Sequence, residues 1–149
     1  MKKLALLLIL LAGCVEQEKS EKFTEFQTAF VAFPQDCNAN PPMVFGGKLL
    51  AEMDRTAGIT ARRFLYNSTT AKDAVTIAMN NVEFKSSAEI KDLIIITGKI
   101  IKVGEKSITM QVVAEKETKT ERTVVVKAEF VFVAYDLVQK KAIPHGLGN

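Results

Sequence analysis

Residues 45–58, with the sequence FGGKLLAEMDRTAG, place two glycines and a carboxylate where they could do chemistry together. Gly46 and Gly47 open a segment over 45–65 in which apolar and small residues recur every three or four positions, which predicts a helix. Asp54 follows Gly47 by two helical turns, on the same side. A carboxylate can act as a general base or as a nucleophile. From the helix alone, Asp54 also fits an ordinary polar edge residue, and the glycines fit tight helix–sheet packing.

Cys37 and His145 are two further side chains with catalytic potential. A cysteine nucleophile needs a nearby base, and His145 is the only histidine of the chain. It falls in the C-terminal stretch IPHGLGN, which we expect to be frayed. We therefore interpret Cys37 as a small, half-buried loop residue. One histidine and two cysteines also argue against a zinc site, and we predict no metal and no cofactor.

The pattern around the predicted helix indicates an α+β fold. Alternating or continuous apolar runs predict five strands, over 26–33, 74–84, 93–104, 107–115 and 123–136. The proline-containing stretch 34–43 is expected to be a loop. Val75, Ile77 and Met79 share one face of the second strand, whereas the third strand is apolar enough to be buried on both faces. A strand, a long helix and four more strands predict an antiparallel sheet curled around the helix.

The first 14 residues, MKKLALLLILLAGC, have the organisation of an export signal. Two lysines precede the apolar run 4–12, which is too short to span a bilayer as a mature helix. The tetrapeptide Leu11-Ala12-Gly13-Cys14 resembles a bacterial lipobox, which implies acylation of Cys14. We therefore divide the chain into a signal peptide (1–13), a lipidated N-terminus with a polar tether (14–25) and a folded domain (26–149). The alternative is a plain secretory leader with an incidental cysteine.

The leader also predicts where the protein lies. A lipid on Cys14 would anchor it to a membrane of the cell envelope. Val15 carries no acidic retention signal, so a host with two membranes would send it to the outer one. If the leader is not used, the protein is cytoplasmic. Lys2 and Lys3 belong to the leader, so the mature chain keeps little of the formal charge of +3. The small net charge of the mature chain does not indicate nucleic-acid binding.

Four stretches of the domain resemble the acyl-CoA thioesterase (acyl-CoA hydrolase) family, which has the hotdog fold. They are VFGGKLLAEMDRTAGITARR (44–63), VTIAMNNVEF (75–84), VGEKSITMQVVAE (103–115) and ERTVVVKAEFVFVAYD (121–136). Their order and spacing match over 26–144, and the phrase Phe-Gly-Gly-x-Leu-Leu-x-x-Met-Asp is fairly specific. The resemblance implies an antiparallel sheet wrapped around one long central helix.

The resemblance also assigns roles to residues of the helix and of the loop before it. In this family the helix N-terminus points at the thioester, so Gly46 and Gly47 would polarise the carbonyl. Asp54 matches the catalytic acid of the family, as general base or nucleophile. Asn38 matches an asparagine that helps to place water or substrate, and Asn40 is the alternative. The implied reaction is cleavage of an acyl thioester to a fatty acid and a free thiol.

Substrate contacts are implied at Phe45 and in the segment with Gly104, Lys106 and Ser107. That segment often lies near the nucleotide end of CoA in the family. Relatives often carry Arg-Ser-Ser where this chain has Glu105-Lys106-Ser107, and an acid there would weaken phosphate binding. The family's sites lie between protomers. We therefore expect a homodimer or a dimer-based oligomer, in which Asp54 meets a carbonyl held by the neighbouring subunit's glycines.

Two functions remain open at this point. The first is an acyl-CoA thioesterase-like hydrolase, acting on acyl-CoA or another acyl thioester. The second is a non-catalytic envelope lipoprotein that uses the hotdog fold to bind acyl chains or a protein partner. Asp54 and the glycines favour the enzyme. The altered Glu105 segment and a longer loop before the helix favour the binding protein. Because acyl-CoA is a cytoplasmic metabolite, an enzyme anchored in the envelope would act on an exported or scavenged acyl thioester.

Overall fold

The computed structural model describes residues 23–148, which form one long helix and an antiparallel sheet of six strands. The strands are β1 (Glu25–Val31), β2 (Asp73–Phe84), β3 (Leu93–Val103), β4 (Ser107–Glu117), β5 (Arg122–Asp136) and β6 (Lys141–Ala142). The helix α1 (Gly46–Leu65) follows a loop that contains a single 3₁₀ turn at Pro34–Asp36. The predicted α+β fold, a sheet around one long helix, is confirmed.

The strand order is β1-β3-β4-β5-β2, so β1 and β2 form the two edges, and the short β6 pairs with the end of β5. The register sets two opposite ends of the sheet. We call the end at the start of α1 the glycine end; it comprises residues 32–47 and Phe84. We call the other the tail end; it comprises residues 66–72, 103–107 and 143–148. The helix runs from one to the other, about 30 Å.

The core lies between α1 and the sheet. The buried face of the helix comprises Leu49, Met53, Thr56, Ala57, Thr60, Ala61, Phe64 and Leu65. Their spacing of three and four residues confirms the helical stripe. In β4 the side chains at 108, 110, 112 and 114 are buried, as their alternation predicted. Gly98 lets β3 approach the helix closely, since a Cβ there would lie 3.0 Å from the Thr60 hydroxyl.

Bulges account for the main differences from the predicted strands. The register of β2 shifts between Thr76 and Ala78, so that Val75 pairs with Val133 and Met79 with Phe130. Val75 and Met79 therefore lie on opposite faces and not on one face as predicted, and Ile77 and Met79 are exposed. The third strand is buried at residues 94–96 and at Gly98, whereas residues 99–103 are exposed or half buried, so the prediction of burial on both faces fails for its second half. A β-bulge adds a residue to one strand and shifts which side chains face the core, and simple alternation does not reveal where it occurs.

The C-terminal tail is packed, so the prediction of a frayed end is wrong. The His145 ring is fully buried and meets Phe64 edge to face, with the ring centroids 6.0 Å apart. The Ser68 hydroxyl donates a hydrogen bond to the His145 carbonyl at 2.7 Å. The His145 N–H donates to the Glu105 carbonyl at 3.2 Å. Three separate segments therefore meet at the tail end, and local composition does not show such contacts.

The predicted signal peptide, Cys14 and most of the predicted tether lie outside the described residues. Across residues 23–148, no helix is both long and apolar enough to cross a membrane.

Candidate active site

The start of α1 has two free backbone donors. Phe45 occupies the N-cap position and makes no side-chain cap. Within residues 23–148, the N–H groups of Gly46 and Gly47 have no acceptor, whereas the next amide, of Lys48, donates to the Phe45 carbonyl at 2.9 Å. Free amides at the positive end of the helix dipole favour a negatively charged group. The helix start can therefore hold an oxyanion.

Two aromatic rings lie over these glycines. A Cβ at Gly46 would lie 3.1 Å from the Phe84 ring, and one at Gly47 would overlap the Phe45 ring. Both rings are more than half exposed, at 55% for Phe84 and 58% for Phe45. The missing side chains at the glycines thus leave room for flat apolar groups directly beside the donor amides. The predicted substrate residue Phe45 lies at this position.

Asp54 is half buried on the side of α1 that faces the edge strand β2. Its Oδ1 accepts a hydrogen bond from the Thr76 hydroxyl at 2.7 Å. Its Oδ2 makes no hydrogen bond within the described part of the chain, so this oxygen can accept a proton or attack. Seven residues along the helix correspond to about 10 Å between Gly47 and Asp54. The carboxylate and the amides of one helix therefore do not meet at one carbonyl.

A charged network secures the loop in front of the helix. Lys48 Nζ lies 3.2 Å from Asp36 Oδ1 and 3.0 Å from Glu52 Oε1. The Phe33 N–H donates to Asp36 Oδ2 at 3.0 Å. This hydrogen bond, and then Lys48, hold the pKa of Asp36 below its ordinary value against the opposing effect of burial. In turn Glu52, and then Asp36, raise the pKa of Lys48.

Asn38 and Cys37 lie in the same loop. Asn38 is exposed, and its N–H donates to the Met43 carbonyl at 2.8 Å, which closes the loop over residues 38–43. No hydrogen bond joins Asn38 to Asp54 among residues 23–148. Cys37 is half buried against the core, as predicted. Burial, and then the charge of Asp36, raise the pKa of its thiol. His145 lies at the tail end, so no Cys–His dyad forms.

The predicted CoA segment lies far from the helix start of its own protomer. Gly104, Lys106 and Ser107 occupy the turn between β3 and β4, at the tail end. The Gly104 N–H donates to the Ser107 carbonyl at 2.8 Å, and Lys106 is exposed. An open groove of about 420 Å³ runs beside this turn, between Glu105 and the tail residues 144–148. One protomer therefore does not bring the two predicted substrate regions together.

The edge strand β2 presents apolar side chains to solvent. Ile77, Met79, Val82 and Phe84 are all exposed along it. Because β2 pairs with β5 alone, its outer backbone groups have no strand partner within the protomer. An edge of this kind, with contiguous apolar side chains, is a surface for a second chain. The Asp54–Thr76 pair lies beside it.

Sequence analysis missed two residues of this site. The alternation of β2 assigns Val75 and Ile77 to one face of the strand. Thr76 lies between them, so the same alternation places its hydroxyl on the opposite face, which is the side facing the helix. Lys48 is a cation in the first turn of a helix, where the dipole disfavours positive charge. That local conflict is a signal that Lys48 has a tertiary partner.

Among residues 23–148, no group of three or more His, Cys, Asp or Glu side chains is arranged to hold a metal ion.

Comparison with known proteins identifies the family. Residues 42–123 match the thioesterase superfamily. An uncharacterized acyl-CoA thioester hydrolase of Haemophilus influenzae is 32% identical over 111 residues, covering 71% of this chain and 68% of the relative. The structure is also similar to an aspartate-to-alanine mutant of a hexameric, broad-specificity acyl-CoA thioesterase, with a TM-score of 0.72, 27% identity and coverage of 82% and 86%. An acyl-CoA hydrolase from Bacillus cereus has a TM-score of 0.72 and 27% identity, covering 82% of this chain and 71% of its own.

These matches agree with the geometry. The matched residues include the start of α1, Asp54 and Thr76, and the similar structures share the sheet wrapped around one helix. The chain therefore belongs to the thioesterase superfamily, has the hotdog fold and is a thioester hydrolase.

Proposed function

We propose that this protein hydrolyses acyl-CoA, or a related acyl thioester, at a site built by two protomers. The amides of Gly46 and Gly47 in one protomer hold the carbonyl oxygen, and Asp54 of the other supplies the reactive carboxylate. The observation that carries this proposal is the carboxylate itself, because Thr76 holds one of its oxygens and leaves the other free. The names of the similar proteins support CoA as the thiol carrier.

The geometry supports two routes to the same products. In the first, Asp54 Oδ2 takes a proton from water while the water oxygen adds to the carbonyl carbon. In the second, Oδ2 itself adds to the carbonyl carbon, and water then cleaves the resulting anhydride. In both routes the C–S bond breaks, the thiolate takes up a proton, and the carbonyl oxygen carries negative charge in the transition state. The free amides at the helix start stabilise that charge.

A second protomer accounts for the separation between Asp54 and its own helix start. If two β2 edges pair antiparallel about a two-fold axis, the glycine end of one protomer lies toward the tail end of the other. This pairing covers the exposed apolar side chains of β2. It also brings Gly104, Lys106 and Ser107 of one protomer toward the glycines of its neighbour. The hexameric state of a similar thioesterase supports an oligomer built from such dimers.

We also propose that Cys14 carries a lipid that anchors the enzyme to a membrane of the cell envelope. The support is the lipobox-like tetrapeptide directly after the apolar run. Each buried methylene of an acyl chain contributes about 0.8 kcal/mol to anchoring, so two or three chains hold firmly. In cells labelled with a radioactive fatty acid, the wild type should carry label and need detergent for release, and Cys14→Ser should lose the label. A labelled Cys14→Ser protein, or an unlabelled cytoplasmic wild type, would contradict the anchor.

The test of the reaction is thiol release from short- and long-chain acyl-CoAs by the detergent-solubilised full chain. Asp54→Asn should lower kcat by about 10²–10⁴-fold, the usual loss when a general base is removed. Asp73→Asn is the matched control, because Asp73 is a partly exposed carboxylate paired with Arg62 at the tail end. A folded wild type that does not release thiol would contradict hydrolysis of CoA esters and favour the non-catalytic binding protein.

A further inference from the structure

We propose that Lys48 is a positioning residue of this site, which holds the loop over residues 34–45 against the start of α1. The loop carries Asn38 and Phe45, and Phe45 directly precedes the donor amides. The inference rests on the proposed placement of the reaction at those amides. Lys48 would affect turnover by holding the loop in place and not by contact with the substrate.

The sequence position of Lys48 is unfavourable for the helix alone. Lys48 follows Gly47 in the first turn of α1, and that turn contains no acidic residue. A cation at the positive end of a helix dipole is destabilising. A residue that breaks a local rule in this way is expected to gain something from the tertiary structure or from function.

The contacts of Lys48 show what it gains from the tertiary structure. The ammonium lies between the carboxylates of Asp36 and Glu52, whose side chains are only 12% and 13% exposed. The side chain also passes over the Phe30 ring, with Nζ 5.4 Å from the ring centroid. Lys48 thus links the loop, the helix and β1, and its charge compensates two carboxylates that have little access to water.

Asp36 is the residue through which Lys48 fixes the loop. Its carboxylate accepts the Phe33 N–H at 3.0 Å, and its backbone carbonyl accepts the Phe45 N–H at 2.9 Å. Both ends of the loop therefore converge on one residue, and Lys48 joins that residue to the helix. Without the ammonium, Asp36 would face the Glu52 carboxylate with reduced compensation, close to where negative charge develops on the substrate.

A displacement of this loop would act directly on catalysis. Phe45 is the N-cap of α1, so a shift of its backbone changes the direction of the Gly46 and Gly47 amides. A misplacement of about 1 Å can cost up to about 10²-fold in rate. Because the amides matter most when charge develops on the oxygen, the loss should appear in kcat more than in KM.

The first measurement compares three variants of the full chain in acyl-CoA hydrolysis. Lys48→Met removes the charge and keeps the stem over Phe30, and Lys48→Arg restores the charge. Arg55→Met is the matched control, because Arg55 also pairs with Glu52, at 3.0 Å, but does not contact Asp36. We expect kcat of Lys48→Met to fall about tenfold, and the other two variants to stay within about twofold of wild type. Adding Asp36→Asn to Lys48→Met should cause little further loss, since both act through one link.

The second measurement is amide hydrogen exchange, which does not depend on turnover. Exchange across residues 34–45 should be faster in Lys48→Met than in wild type, and unchanged in Arg55→Met. Unchanged exchange in Lys48→Met, or equal acceleration in Arg55→Met, would overturn the inference. A fully additive loss of kcat with Asp36→Asn would also overturn it. An inactive wild type would contradict the proposed function, and the exchange result would still decide whether Lys48 holds the loop.

Discussion

The two ends of the sheet use loops in opposite ways. At the glycine end, the amides of Gly46 and Gly47 lack acceptors, and large aromatic side chains are exposed. At the tail end, the loop after α1 and the C-terminal tail bond to each other, and the fully buried His145 lies between them. Free backbone donors at a helix start favour a ligand that carries negative charge. The His145 Nε2 atom also lacks a hydrogen-bond partner among the described residues, but it is fully buried, away from any ligand in solvent. The glycine end is thus built for function, whereas at the tail end the loop after α1 and the C-terminal tail pack against each other chiefly for stability.

Among the substitutions that test this difference between the two ends, the largest expected loss of activity is at Gly47. Gly47→Val places a branched side chain where the Phe45 ring now lies and obstructs the donor amides. Because removal of one oxyanion donor costs about 10²–10³-fold in kcat, we expect a loss of that order in acyl-CoA hydrolysis. Gly58→Ala is the matched control, since a Cβ there would make ordinary contact, 3.7 Å from Phe132. It should keep activity and stabilise the helix by about 1 kcal/mol. Equal activity of the two variants would contradict the role of the glycine end in catalysis.

The next effect concerns the hydroxyl that holds Asp54. Thr76→Val keeps the shape of the side chain and removes the hydrogen bond to Oδ1. We expect kcat to fall about tenfold as the carboxylate loses its orientation, and Thr76→Ser to recover most of the rate. Thr28→Val removes a different hydroxyl, one that contacts Thr56 at 2.6 Å. It should leave kcat within about twofold. If the two valine variants behave alike, Thr76 does not position the catalytic carboxylate.

A change at the tail end should affect stability before it affects kcat. Ser68→Ala removes the donor to the His145 carbonyl and the acceptor of the Ala71 N–H. Because both partners are buried, we expect a loss of about 1–3 kcal/mol in the free energy of unfolding. Thr70→Val removes an exposed hydrogen bond of the same tail and should cost less than about 0.5 kcal/mol. Denaturant unfolding measures the free energy of unfolding of both variants. A tenfold loss of kcat in folded Ser68→Ala would contradict a mainly stabilising role of the packed C-terminal tail.

The smallest effect is a pH dependence at Asp36. Its pKa is lowered in the folded state from an ordinary value of 3.8, so the charged carboxylate stabilises the fold above that pH. The contribution disappears as the pH falls through the lowered folded-state pKa. Asp36→Asn should therefore reduce Tm at neutral pH, and the difference from wild type should close in strong acid. A difference in Tm that stays constant with pH would show that the charge of Asp36 is not the cause.

The sequence predicted the helix within one residue, since its period of three and four residues was unbroken. It predicted the alternation of β4 equally well. The exposed face of β2 was not predicted, because the bulge at Thr76 depends on pairing with β5. The packed tail was missed for a related reason: Ser68 lies 77 residues from His145, and no local pattern encodes that contact. The roles of Asp54 and Gly47 came from the family resemblance, and their spacing of two helical turns already predicted that Asp54 meets the glycines of a neighbouring subunit.

The most direct test of the two-protomer site mixes two inactive variants, Asp54→Asn and Gly47→Val, under conditions that allow subunits to exchange. If each site takes its glycines from one protomer and its carboxylate from the other, a mixed dimer contains one intact site. Equal mixing should then restore about one quarter of the wild-type rate of acyl-CoA hydrolysis. No recovery, once exchange has been verified by mass, would show that Asp54 and the glycines act within one protomer, and would contradict the account.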